Sequence, residues 1–296
     1  MRNWVLALIL SLSKDEGPFK RSSVSLNDSK SLHKRYGTST PPPGAWNETL
    51  DLLLAHCSVR HYREGPLPDG ALEAAIAAAQ SASTSSNLQL WSVIAITEES
   101  RKQRLAVHAG GQAHMANAPL LLVWLADIHR LRRLGEAQSA ATEGLDYFEA
   151  FLLAAVDAAL AAQNAMTAFE SLGLGGCYIG GMRNKPAEVA AELALPSEVF
   201  ALFGMTVGVP DPARREAVKP RLPQEVVLMR EQYAWSDQER TAIATYNERL
   251  RAFQREQAMK EQDWTVQATR RVADAKALTG RHILRDFLNS IGFKLR

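Results

Sequence analysis

Cysteine is nearly absent from this chain: its 296 residues include only Cys57 and Cys177. Neither stands in a C-x-x-C or other metal-ligand spacing, which argues against a secreted disulfide scaffold and a thiolate metal centre. No metal is expected, and a reducing, cytoplasmic setting is. Charge of one sign is also missing. Lys and Arg number 34 against 32 Asp and Glu, for a formal net charge of +2. No basic tract is interleaved with aromatics, so a dedicated nucleic-acid binder is not expected. The apolar run near the start is too short for a bilayer as well. Residues 4–12 are too few to span one, and Ser13-Lys14-Asp15-Glu16 follows instead of a small-residue cleavage pattern. There is no internal repeat, and no G-x-G-x-x-G follows a strand, so a dinucleotide fingerprint is absent.

What is present is a hydrophobic content of 46%, ample for a large core. Residues 1–45 differ from the rest: Ser, Lys, Asn and Gly give way to Thr40-Pro41-Pro42-Pro43-Gly44, a composition that does not bury a core. They read as a disordered extension or a misassigned start, with targeting as the alternative, and removing residues 1–44 is expected to leave fold and activity intact. Residues 46–296 read as one α+β domain. The stretch at 149–171 has no Gly or Pro, is dominated by Ala and Leu, and predicts a long helix apolar on nearly every face. Asp157, Gln163 and Asn164 inside it argue against a membrane span, because each is costly in lipid. Its alanines suit close helix–helix approach, within the domain or across a dimer seam.

Gly173 is well placed as a left-handed cap of that helix. Cys177-Tyr178-Ile179 then reads as a buried strand broken by Gly180-Gly181, either an ordinary turn or backbone that approaches a planar or anionic ligand. Further helices are expected from Asn47 and over 70–82, 98–107 and 186–193. Strands are expected over 91–96, 119–126 and 200–210, with 127–145 as a polar crossover and a helical tail from about 236. His56-Cys57-Ser58-Val59-Arg60 suits a phosphate, since Arg offers a bidentate fork and Ser a short hydrogen bond, or is a solvated basic turn. The uncharged loop 83–89 wraps a neutral ligand edge or is a surface turn. Lys219-Pro220-Arg221 sets two cations around a stiff proline.

Together these segments resemble the oxygen-insensitive NADPH nitroreductases and flavin reductase P enzymes of the nitroreductase superfamily. The match runs through His56–Arg60 in the form His-Cys-Ser-Val-Arg, Ser83-Thr84-Ser85-Ser86 with Gln89, and Gly110-Gly111-Gln112-Ala113-His114. It continues through Ala162-Gln163-Asn164-Ala165, the glycine segment from Glu170 to Asn184, and Lys219-Pro220-Arg221-Leu222-Pro223. It covers roughly residues 46–296. The resemblance implies a four-stranded antiparallel sheet surrounded by helices, in an intertwined homodimer whose partner adds a fifth strand through its C-terminal extension. It implies FMN, with His56, Cys57, Ser58, Val59, Arg60, Lys219 and Arg221 around the phosphate and ribityl chain. Thr84 and Gln112 would hydrogen-bond the flavin, and Tyr178, Ile179, Gly180 and Gly181 would lie along its ring. Ser86, Asn87, Arg255 and Arg281 would face substrate or NADPH.

The implied reaction is ping-pong, two-electron hydride transfer from NADPH to nitroaromatics or quinones. A flavin reductase supplying reduced FMN, or a non-catalytic flavin-binding sensor, are the alternatives. Several positions depart from the pattern. Cys57 stands where an arginine is usual, Asn87 replaces an aromatic, Leu90-Trp91 replaces smaller residues, and the loop from Arg255 to Lys260 is shorter.

Overall fold

The computed structural model describes residues 30–37, 46–214 and 216–296. Helix α1 spans Lys30–Tyr36, α2 Glu48–Ala55 and α3 Ala71–Gln80; strand β1 is Trp91–Ile96, followed by α4 Glu99–His108 and α5 Ala113–Asn117. Then come β2 Leu120–Asp127, α6 His129–Ala137, α7 Phe148–Ser171, β3 Gly175–Ile179, α8 Pro186–Glu192 and β4 Val199–Gly208. The tail holds α9 Gln224–Val227, α10 Asp237–Glu256, α11 Trp264–Arg271 and α12 Leu284–Ser290.

The four strands form one antiparallel sheet in the order β1-β2-β4-β3. Every residue of β2 is buried, as a central strand covered on both faces must be. On one face Leu120, Leu122, Trp124, Met205 and Val207 pack against α3 and α7. On the other, Leu121, Val123 and Leu125 pack against Leu105, Met115, Ile179, Met182 and Val189. The free edge of β1 is blunted by Arg130, whose guanidinium donates to the carbonyls of Gln89 (2.9 Å) and Trp91 (3.1 Å).

Local signals explain the element ends. The Asn47 side chain accepts from the Leu50 N–H at 3.0 Å and starts α2, as its sequence predicts. Gly173, at φ +76°, ends α7: its N–H reaches the Glu170 carbonyl at 3.0 Å, and the Leu174 N–H reaches Phe169 at 3.0 Å.

Three expectations change. The crossover 127–145 contains helix α6, whose Arg132 ties it to Glu198, Asp146 and the Thr142 carbonyl. Helix α7 is not covered on every side. Ala154, Ala158, Ala161, Ala162 and Ala165 are fully buried, but Phe148, Leu152, Val156 and Leu160 form a stripe 44–52% exposed. The packed domain also reaches into the segment read as an extension: Leu32 and Arg35 of α1 are buried. The remainder of residues 1–45 lies outside the described residues. The C-terminal end packs on its own chain, with Phe293 edge-on to Phe151 at 5.4 Å and the Arg296 N–H bonded to the Asp146 carbonyl at 3.1 Å.

Candidate cofactor site

The segment leaving α2 runs beside β3 because its backbone completes that strand's edge. Ser58 bridges Gly176, the Val59 N–H donates to the Gly176 carbonyl at 2.9 Å, and the Arg63 N–H to Val209 at 2.8 Å. This route assigns different work to neighbouring residues. Val59 is 5% exposed and fills the space above Gly175, where a Cβ would sit 2.5 Å from its Cγ2. Its side chain belongs to the core and not to a ligand site. Ser58 and Arg60 gather at the buried Cys177: burial pushes that thiol up, while Arg60 and a Ser58 hydrogen bond oppose the shift. His56 is engaged by Glu170 through Nδ1 at 2.5 Å, leaving Nε2 as its outward nitrogen. Cys57 is half-buried, its thiol pushed up by burial and then by Glu216.

Lys219 and Arg221 arrive from the segment between β4 and α9. Partial desolvation, then Arg60 and Arg221, hold the Lys219 ammonium below its ordinary range. Among the described residues, Arg60, Lys219 and Arg221 have no carboxylate within ion-pair distance. Three converging cations without a counterion fit a phosphate monoester. Glu216 stands nearby, but its Oε1 is taken up by the Arg60 backbone N–H at 2.6 Å and His61 Nδ1 at 3.2 Å. Lys219 and Arg221 open into a cavity of about 960 Å³ that Tyr36, Tyr246, Trp264 and Arg271 also line.

The Ser/Thr loop is organised from below by Asp157. This carboxylate, 2% exposed, accepts the Thr84 hydroxyl at 2.5 Å, the Ser85 N–H at 3.1 Å and the Leu90 N–H at 3.2 Å. Thr84 also accepts the Gln89 N–H at 2.9 Å, so its hydroxyl proton is already committed inside the protein. Ser86 and Asn87 are exposed and hold positive φ of 49° and 56°, a strained pair at the loop tip.

The glycines divide in the same way. A Cβ on Gly176 would meet the Thr206 carbonyl at 2.6 Å, and one on Gly181 the Ala109 carbonyl at 2.3 Å. Both are demanded by the protein's own backbone. Gly175 and Gly176 accordingly lie inside β3 and not in the turn before it. Gly180 differs: a Cβ there would meet no backbone, only guanidinium nitrogens of Arg183 at 3.5 Å and Arg281 at 3.7 Å, ordinary contact distances. Ile179 is 1% exposed and points into the core, so only its backbone is available to a ligand. Tyr178 lies on the opposite face, edge-on to Phe203 at 5.6 Å, its phenol pushed up by burial. The Gln112 carboxamide donates to the Ala109 carbonyl at 3.1 Å, and Asn184 joins this turn to Arg281, whose Nε donates at 3.0 Å.

Of the two cations expected at the nicotinamide side, only Arg281 reaches Gly180. Desolvation, then Arg183 and Arg271, depress its guanidinium. Arg255 is instead clasped by Glu261 at 3.1 and 3.0 Å. The sequence reading missed Asp157, Glu170 and Glu216 as organisers. Their only signal was a carboxylate set in an apolar helix or beside basic residues. It also assigned no role to His114, whose buried Nε2 has no hydrogen-bond partner among the described residues and whose imidazole is held low by burial, then Arg60 and His61.

A profile described as "Nitroreductase family" matches residues 53–209, and "Nitroreductase family, C-terminal domain" matches 219–296. An oxygen-insensitive NADPH nitroreductase of Salmonella typhimurium is 44% identical over 203 residues, 68% of this chain and 80% of that protein. An NADPH-flavin oxidoreductase of Vibrio harveyi is 36% identical over 252 residues, 84% of this chain and all of its own length. The solved NADPH:FMN oxidoreductase from Vibrio harveyi, complexed with NAD+, superposes with a TM-score of 0.75 at 34% identity, covering 84% of this chain and 100% of that one.

Proposed function

The chain belongs to the nitroreductase family, and we propose that its cation cluster makes it an FMN-dependent NADPH oxidoreductase that reduces nitroaromatics or quinones. The names of its relatives support the donor and the cofactor. FMN, when bound, supplies the two-electron hydride chemistry. Arg60, Lys219 and Arg221, with the Ser58 hydroxyl, hold its phosphate. The backbone from Tyr178 to Gly181 and the spare N–H of Gln112 orient its ring. Arg281, which pairs with no carboxylate among the described residues and lies against Gly180, attracts the anionic pyridine nucleotide.

The observation that carries this reading is the convergence of Arg60 and Arg221 on Lys219, with no carboxylate in ion-pair distance of any of the three among the described residues. Flavin released by heating the purified protein and separated by chromatography is expected to be FMN; FAD as the main species would overturn it.

A second reading, a reductase that hands reduced FMN to another enzyme, is favoured by the flavin oxidoreductase and FMN reductase names among the relatives. Turnover with free FMN outpacing nitro and quinone acceptors would select it. A non-catalytic sensor would instead stay yellow when NADPH is added. Homodimer formation is supported by the apolar stripe on α7, and a reducing, cytoplasmic location by the free thiols of Cys57 and Cys177.

A further inference from the structure

Helix α1 precedes both family matches, the first of which begins at residue 53 and the second at 219, yet it sends a buried arginine to the cofactor site. Arg35 is 5% exposed. Its Nε donates to the Leu54 carbonyl at 3.1 Å, its Nη1 to the Lys219 carbonyl at 2.9 Å, and its Nη2 to the His56 carbonyl. The Arg221 N–H returns a bond to the Arg35 carbonyl at 2.9 Å. Leu54 and His56 belong to the segment that delivers Ser58 and Arg60; Lys219 belongs to the segment that delivers Arg221. Among the described residues no other hydrogen bond joins 54–56 directly to 219–221.

A buried guanidinium ordinarily finds a carboxylate. Here it finds three backbone carbonyls, which satisfy its N–H groups and leave its charge unneutralised. Burial, and next the proximity of Arg221, push its pKa down. The planar fork, with donors in fixed directions, suits three acceptors from two separate segments. Leu32, 6% exposed, supplies the apolar anchor that keeps α1 in place.

We propose that Arg35 is a positioning residue of the cofactor-phosphate site, with α1 stapling the two cation-bearing segments into one dianion cradle. This rests on the reading of Arg60, Lys219 and Arg221 as the phosphate cluster. It separates two ligands that share a ring: FMN carries the dianion, and riboflavin does not. A residue that merely stabilises the fold affects both alike. One that shapes the phosphate cradle changes FMN affinity alone.

The test is a fluorescence titration of the full-length chain, stripped of flavin, with FMN and with riboflavin. R35M is expected to weaken FMN about tenfold and leave riboflavin within about twofold, a margin too small to signal a lost contact. R35K keeps charge and stem but not the fork; it is expected to weaken FMN at least about threefold, again sparing riboflavin. Should R35M fail to fold, R35K decides. An unchanged FMN-to-riboflavin ratio in R35K, whether both affinities hold or both fall, overturns the proposal. Arg60→Ala serves as the control for the underlying site. If it and Arg221→Ala both leave FMN affinity intact, the phosphate cluster is refuted and the proposal with it. If either weakens FMN while R35K keeps the ratio, only the role of Arg35 is lost.

Discussion

Single side chains in this protein are sorted by which way their strand or helix turns them. Neighbours in the chain have opposite duties. Val59 and Ile179 are buried in the core, while Arg60 is exposed and Tyr178 only half-buried. Ile179 turns its side chain into the core, because a strand alternates its faces and Tyr178 took the other one. Charge follows the same sorting. Arg60→Ala and Arg221→Ala are each expected to weaken FMN by about 1.5–3 kcal/mol, roughly ten- to a hundredfold. Equilibrium titration checks this, and an unchanged dissociation constant in both variants would refute the phosphate assignment.

At the scale of elements, α7 decides most of the architecture. Its alanines let α3 and the sheet come close, its Asp157 holds the loop 84–90 in shape, and Gly173 turns the chain into β3. By length and composition this helix is apolar enough to cross a membrane. Asp157 explains why it does not read as a span: its carboxylate is buried within the protein and meets three donors there. What the chain leaves uncovered is the stripe Phe148, Leu152, Val156 and Leu160. A continuous apolar helix face of this kind invites a second copy. Val156→Glu is expected to cost the dimer roughly 3–5 kcal/mol, as an unpaired charge buried in the seam would. Sedimentation should then show monomer at concentrations where the parent is dimeric. A parent that is monomeric, or a variant that still dimerises as tightly, contradicts the seam.

The whole molecule is tied together by its last residues. Lys294 donates to Asp146 at 2.8 Å, Arg132 donates to the same carboxylate at 3.0 Å, and Phe293 is buried against the start of α7. Lys294, then Arg132, hold the Asp146 carboxyl below its usual range. A carboxyl depressed in the folded state stabilises the protein above its unfolded pKa, about 3.9, and loses that contribution as pH falls through the folded value. Asp146→Asn should therefore lower Tm at pH 7, with the gap to the parent closing below about pH 4. Melting curves across that range test it. A gap that persists unchanged at low pH would assign the loss to packing instead of charge.

Much of this was legible in the residues themselves. The Ala-rich run, the Asn47 cap, the Gly173 stop and the apolar β2 stretch are local signals, and local physics decides them. The proposed phosphate cluster was a candidate by residue type, because a dianion is held by Arg, Lys and Ser. Other features had no local signature. The duties of Gly176 and Gly181 come from carbonyls at Thr206 and Ala109, far away in sequence. Arg35 sits in a stretch whose composition reads as an extension, yet its partners are at positions 54, 56 and 219. Arg255 carries the charge an anion would seek, and Glu261 had already taken it. The sequence alone determined which chemical groups are available and where helices and strands begin. Only tertiary contact decided which of those groups remain free, because a donor's availability depends on acceptors that the fold brings from elsewhere in the chain.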